Sequence, residues 1–174
     1  SFLEKARVSN ERDAMTESIK AALAHNPTYL PEATDEDRQL FRSSLATQLR
    51  THSKAYAVPV SDSQHLENIQ RISDELSQEY AQTLRGARLR IGTTQKALNL
   101  YLKFLWCLDL TRAVPPHCPV DRIVLTSAGI DEAWTQLDCP DTYMAWVQQC
   151  RATASSKESP SIQHWELSLW NPLA

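Results

Sequence analysis

TQKALNLYLKFLWCLDL, the stretch from Thr94 to Leu110, decides the fold. Wound at 3.6 residues per turn, Ala97, Leu98, Leu100, Tyr101, Leu102, Phe104, Leu105, Trp106, Cys107 and Leu108 cover most of the circumference. Gln95, Lys96, Asn99 and Lys103 form one narrow polar stripe. A helix apolar nearly all round must be buried nearly all round, so this segment is either the central element of a helical domain or an oligomer interface. Its apolar run is broken by Asn99, Lys103 and Asp109 and falls short of the 18 residues that span a bilayer, so no membrane is expected.

On the N-terminal side three amphipathic helices are expected. Met15, Ile19, Ala22 and Leu23 mark a first helix within Ser1–His25, stopped by Asn26-Pro27. Thr34 caps a second, with Asp35, Glu36 and Asp37 at the positive end of its dipole and Phe41, Leu45 and Leu49 on one face, ending near Ala57 before Pro59. Ser61 or Ser63 caps a third, whose Leu66, Ile69, Ile72, Leu76, Tyr80 and Leu84 recur at steps of three and four as far as Arg85. Gly86 and Gly92 then bracket a break or change of direction near 86–92.

On the C-terminal side Pro115, Pro116 and Pro119 exclude regular helix over Ala113–Asp121. A short helix over Arg122–Ser127, capped by Asp121 and stopped at Gly129, is expected next. Another follows over Asp138–Ala154, and a last one opens at Ser159-Pro160 with Ile162, Trp165, Leu167 and Trp170. All five tryptophans lie in the C-terminal 70 residues, as a core cluster or as interface anchors. The expectation is an all-α protein, residues 1–174 forming a single compact domain of about six helices. It comprises three long amphipathic helices, one buried central helix and a Pro- and Trp-rich helical third.

Composition narrows the class. The 174 residues are 42% hydrophobic and 22% charged, as in an ordinary globular domain. Three glycines against nine prolines argue against phosphate-cradling loops and hairpin-dense β architecture. Four cysteines are few for a disulfide-built domain, the N-terminal residues have no signal-peptide layout, and the expected compartment is the reducing cytoplasm. There is no Gly-x-Ser-x-Gly, Walker or Rossmann fingerprint.

The formal net charge of −3 hides a segmentation. Residues 1–80 carry −4 and residues 109–174 carry −4. Between them, residues 81–108 hold Arg85, Arg88, Arg90, Lys96 and Lys103 and no acid, net +5. With Asn99 on the same face, these residues suit an anion: a phosphate ligand or nucleic acid bound at a helix N-terminus and along the helix behind it. The alternative is that the cations pair with acids of the first three helices and serve assembly.

Other constellations are thinner. His117, Cys118 and Asp121 place a base, a nucleophile and a carboxylate within five residues of a rigid Pro-rich turn. Arg112 and His117 have Arg-x4-His spacing, which is similar to the motif of helical HEPN-type ribonucleases and implies metal-independent RNA cleavage by those two residues. The likeness covers six residues, with Pro115 and Pro116 inside a motif that is helical in that family. Cys107, Cys118, Cys139 and Cys150 lack the close pairs of structural zinc, and the histidines show no Glu-x-x-His or His-x3-His arrangement, so neither metal nor cofactor is expected. The leading expectation is a non-enzymatic domain acting by self-assembly or with a protein partner. Polyanion binding through 81–108 is the second, and a small ribonuclease using Arg112 and His117, with Asp121 a further candidate, is the third.

Overall fold

Local signals set most helix boundaries. The structure, a computed structural model that describes residues 1–171, is all-helical. Thr34 and Asp37 form a reciprocal capping box that starts α3 (Asp35–Ser53), and Ser61 accepts from the Gln64 amide to start α4 (Asp62–Glu79). Asp121 accepts from the Val124 amide and starts α6 (Arg122–Ser127), after which Gly129 turns the chain at φ 74°. Pro140 occupies the first turn of α7 (Pro140–Ser156), and Ser161 caps α8 (Ile162–Trp170).

Among the described residues eight α-helices stand where about six were expected, and the differences have physical causes. The first expected helix is two: α1 (Phe2–Ala6) closes on Arg7, which is left-handed at φ 57°, and α2 (Glu11–Leu23) restarts on the Asn10 cap. α4 ends at Glu79, not near Arg85. Leu84 continues its apolar spacing but is buried differently: residues 83–85 run antiparallel to 28–30, with Leu30 N–H on the Thr83 carbonyl and Arg85 N–H on that of Thr28. Gly86, at φ 64°, completes the change of direction.

The decisive helix is α5 (Ile91–Cys107), three residues earlier at each end than the sequence suggested. Every residue from Ile91 to Leu105 is buried. The cover comes from this chain itself: α2, α3, α4 and the turn Trp134–Gln136 pack around it, while α7 and α8 pack on each other and on α6. Gly92 lets the turn come close, since a Cβ there would stand 2.0 Å from the Trp134 carbonyl oxygen. The apolar circumference of α5 is thus that of a central element. Trp134, Trp146 and Trp165 are core, and Trp106 and Trp170 are half-buried. None of the described helices is long and apolar enough to cross a membrane.

Candidate functional site

The polar stripe of α5 does not face solvent. Each of its members is buried, and each has found a partner far along the chain, as a polar group taken out of water must. Gln95 donates to the Val120 carbonyl at 2.7 Å and accepts from the Val120 amide at 3.1 Å, which pins the Pro-rich segment to α5. Lys96 Nζ lies 2.6 Å from Asp121 Oδ2. Lys103 straddles both oxygens of Glu166 at 2.9 and 2.6 Å, fully buried, with its ammonium 3.6 Å from the centre of the Phe2 ring. Burial pushes the Lys103 pKa down and that of Glu166 up, each opposed by the other's charge.

Asn99 belongs to a hydrogen-bonded chain whose direction is fixed at its surface end. Arg151 grips the Asp62 carboxylate through two contacts of 2.6 and 2.7 Å, which holds Asp62 well below the usual carboxylate range. An ionised carboxylate only accepts, so His117 Nε2 must donate to Asp62 Oδ1 at 2.8 Å. His117 Nδ1 therefore accepts from the Tyr143 hydroxyl at 2.6 Å, and that oxygen accepts from Asn99 Nδ2 at 3.1 Å. Asn99 Oδ1 accepts from His65 Nε2–H at 2.7 Å, and His65 Nδ1 accepts from the Tyr56 hydroxyl at 2.5 Å. Both histidines are neutral Nε2–H tautomers. Burial lowers the His117 pKa to about 4 and, with the neighbouring His117 ring, the His65 pKa to about 3.

The arginines before α5 are arranged differently. Arg88 is held by Asp74 at 2.6 Å and by Asp138 at 3.0 Å. Asp138 also accepts from the Ile91 amide at 3.0 Å, and the Leu137 carbonyl takes the Gly92 amide at 2.8 Å. The anion position at the N-terminus of α5 thus holds the protein's own carboxylate. Arg90 donates to the Thr135 carbonyl, and Arg85 is exposed. Arg85, Arg88 and Arg90 share a shallow notch with Asn26 and Thr93, whereas Lys96, Asn99 and Lys103 lie inside the molecule. The six residues do not converge on one surface. Their acidic partners are mostly from the C-terminal third (Asp121, Asp138 and Glu166), with Asp74 of α4 alone from the acidic N-terminal block.

Arg112 is exposed, while His117 is buried with both ring nitrogens engaged, and the arginine that reaches the His117 network is Arg151. Cys118 is buried, where its thiol pKa is raised well above the ordinary value, and Asp121 is committed to Lys96 and to the cap of α6.

Among the described residues a large concavity lies beside the stripe. A cleft of about 910 Å³ lies between the end of α2, α5 at Lys96, α6 and the loop 130–135. Lys96 and Asp121 form its floor. His25, Arg122, Thr126, Asp131 and Glu132 supply polar groups of both signs, and Ile123, Ile130 and Trp134 supply apolar surface. A smaller apolar cavity of about 220 Å³ adjoins it and shares Ala21 and Lys96.

Asp62, His65, Tyr143, Arg151 and Glu166 are the participants that the sequence reading missed. A signal was present for two of them. His65 stands four residues before Ile69, on the face carrying Ile72 and Leu76, and Glu166 stands four after Ile162. A polar residue in register with a buried face, on a chain with a polar stripe to satisfy, points to a pairing.

Comparison of this chain with protein-family models, with curated proteins and with solved structures finds no match.

Proposed function

We propose that this chain is a small-molecule-binding domain, with its ligand held in the cleft over the Lys96–Asp121 pair. One observation carries the reading. The Lys96 side chain is 9% exposed, and among the described residues Asp121 is the one hydrogen-bond acceptor it reaches. An ammonium has three donors, so two remain for whatever occupies the space it lines. The cleft volume falls in the range of ligand sites, about 300–1,000 Å³. The Gln95–Val120 amide pair and the Asp121 cap hold both members of the ion pair on rigid elements.

The lining favours a compact polar molecule that offers an oxygen acceptor to Lys96. Asp131 and Glu132 stand exposed at the rim and would repel a polyphosphate chain. The three readings drawn from the sequence have less support, the ribonuclease among them because Arg112 is exposed while His117 is buried with both ring nitrogens engaged. Association through α5 lacks a free face, since this chain already covers that helix. Polyanion binding is left with Arg85 and Arg90 on the surface, because Arg88 and Lys103 are paired internally and Lys96 lies deep in the cleft.

The test is a thermal-shift panel of glutamate, citrate, glucose 6-phosphate and adenosine on the wild-type chain and on Lys96→Met. A ligand at a hundred times its Kd adds about 2.7 kcal/mol. For a domain of this size that raises the midpoint by about 5–10 °C. The expected result is such a rise with at least one compound, lost in Lys96→Met with the helical circular dichroism retained. Binding that persists undiminished in Lys96→Met, or no rise with any compound, removes the reading.

A further inference from the structure

We infer that the ligand of the cleft carries an apolar substituent, which passes Lys96 and lodges beneath α1; the inference rests on the binding reading above. The second cavity has room for it. Its 220 Å³ lie among Phe2, Ala6, Leu100, Phe104, Pro119 and Trp170, and Lys96 and Ala21 line both it and the cleft. An apolar cavity of about 150 Å³ stays dry and admits a benzene-sized group, so this one takes a single ring or a short alkyl chain and is too small for a long acyl chain.

The charges that border the cavity do not hydrate it. Lys103 and Glu166 are paired with each other, the Trp170 indole donates to Glu166 at 2.7 Å, and the Phe2 ring caps the ammonium. Lys5 also lines it but donates to the Trp170 carbonyl, and Glu17 lies 3.6 Å from Lys20, so most of the surface left to the cavity is carbon. Its cover is light: α1 is five residues long and is held by the Phe2–Phe104 stack, with ring centres 5.1 Å apart, and by Lys5 on the Trp170 carbonyl. Lys96 lines both the polar cleft and the apolar cavity. A molecule that satisfies both has an oxygen-acid head on Lys96 and a small apolar tail behind it. Each buried methylene of that tail tightens binding about fourfold.

The probes are 4-phenylbutyrate and butyrate, which share the head and differ in the ring. Calorimetry on the wild-type chain is expected to give at least tenfold tighter binding of 4-phenylbutyrate. In NMR, both acids are expected to shift the Arg122 amide, and 4-phenylbutyrate alone to shift the Trp170 indole. Nuclear Overhauser contacts from the phenyl protons to Phe104 and Trp170 locate the ring independently of any variant. Ala6→Phe, which fills the cavity from α1, is expected to reduce 4-phenylbutyrate to the affinity of butyrate and leave butyrate unchanged. Equal affinities, or a phenyl ring found against Trp134 and not Trp170, overturn the apolar extension and leave the cleft reading standing. If neither acid shifts Arg122 or Trp170, the apolar extension is overturned, and the thermal-shift panel alone decides the cleft reading.

Discussion

His65 and His117 are the residues whose chemistry is most altered by the fold. Their rings meet edge to face at 4.5 Å, and each nitrogen has a fixed role in a chain that ends on Asp62. A proton added to either ring would be buried, would oppose the other ring, and would convert an accepting Nδ1 into a donor facing a hydroxyl. Both pKa values are accordingly depressed, to about 3 and about 4, from an ordinary value of 6.5. The unfolded chain then binds more protons than the folded one below about pH 6.5, so stability rises with pH across this window. It is complete above about pH 6.5 and is lost as pH falls through 4 toward 3. Each unit of depression is worth about 1.4 kcal/mol, so the loss is a large share of a domain's stability. Asp62, depressed by Arg151, adds to the loss at still lower pH. Urea unfolding at pH 7.5, 5.5 and 4.5 is expected to give a steadily falling midpoint. A midpoint flat across that range would contradict the buried neutral pair.

Among the elements, starts were legible and long-range partners were not. Thr34, Ser61 and Asp121 act on amides three residues away, so a cap can be read from a few residues of sequence. His65 and Asn99 meet across 34 residues, and Lys103 and Glu166 across 63, and no local pattern encodes either meeting. Leu84 shows how a periodic signal misleads: its spacing matches α4, but its burial comes from the 28–30 pairing. The start of α5 is set the same way, by Asp138 and Leu137 from 47 and 45 residues on, which is why it precedes Thr94. Gly92 gives this element its test. Helix propensity alone would reward Gly92→Ala by about 1 kcal/mol. The added Cβ would instead stand 2.0 Å from a backbone oxygen of the Trp134–Gln136 turn, and overpacking costs about 1–3 kcal/mol or more. Destabilisation is expected in urea, together with a changed near-ultraviolet signal from Trp134, which lines the cleft wall. A stabilised variant would show that the turn is free to move away.

At the scale of the whole molecule the three charge blocks become an instruction for assembly. The acid-free middle of the chain finds most of its counterions in the acidic C-terminal third, so ion pairs fasten α5 to the cap of α6 and to α8, and Arg88 before α5 to Asp138 before α7. Segmentation was visible in the sequence; that the stripe turns inward was not, because Lys96 and Lys103 on an apolar helix suit a solvent-facing edge as well as a buried one until their partners are known. The central claim is that this stripe is internal and borders the cleft at Lys96. Acetylation of the native protein followed by mass spectrometry tests it directly, since the six lysines span the full range of exposure. The expected result is rapid modification of Lys5, Lys20, Lys54 and Lys157, slow modification of Lys96 and none of Lys103 until the chain is unfolded. Lys103 reacting as fast as Lys5, or Lys96 as fast as the four exposed lysines, would contradict the account.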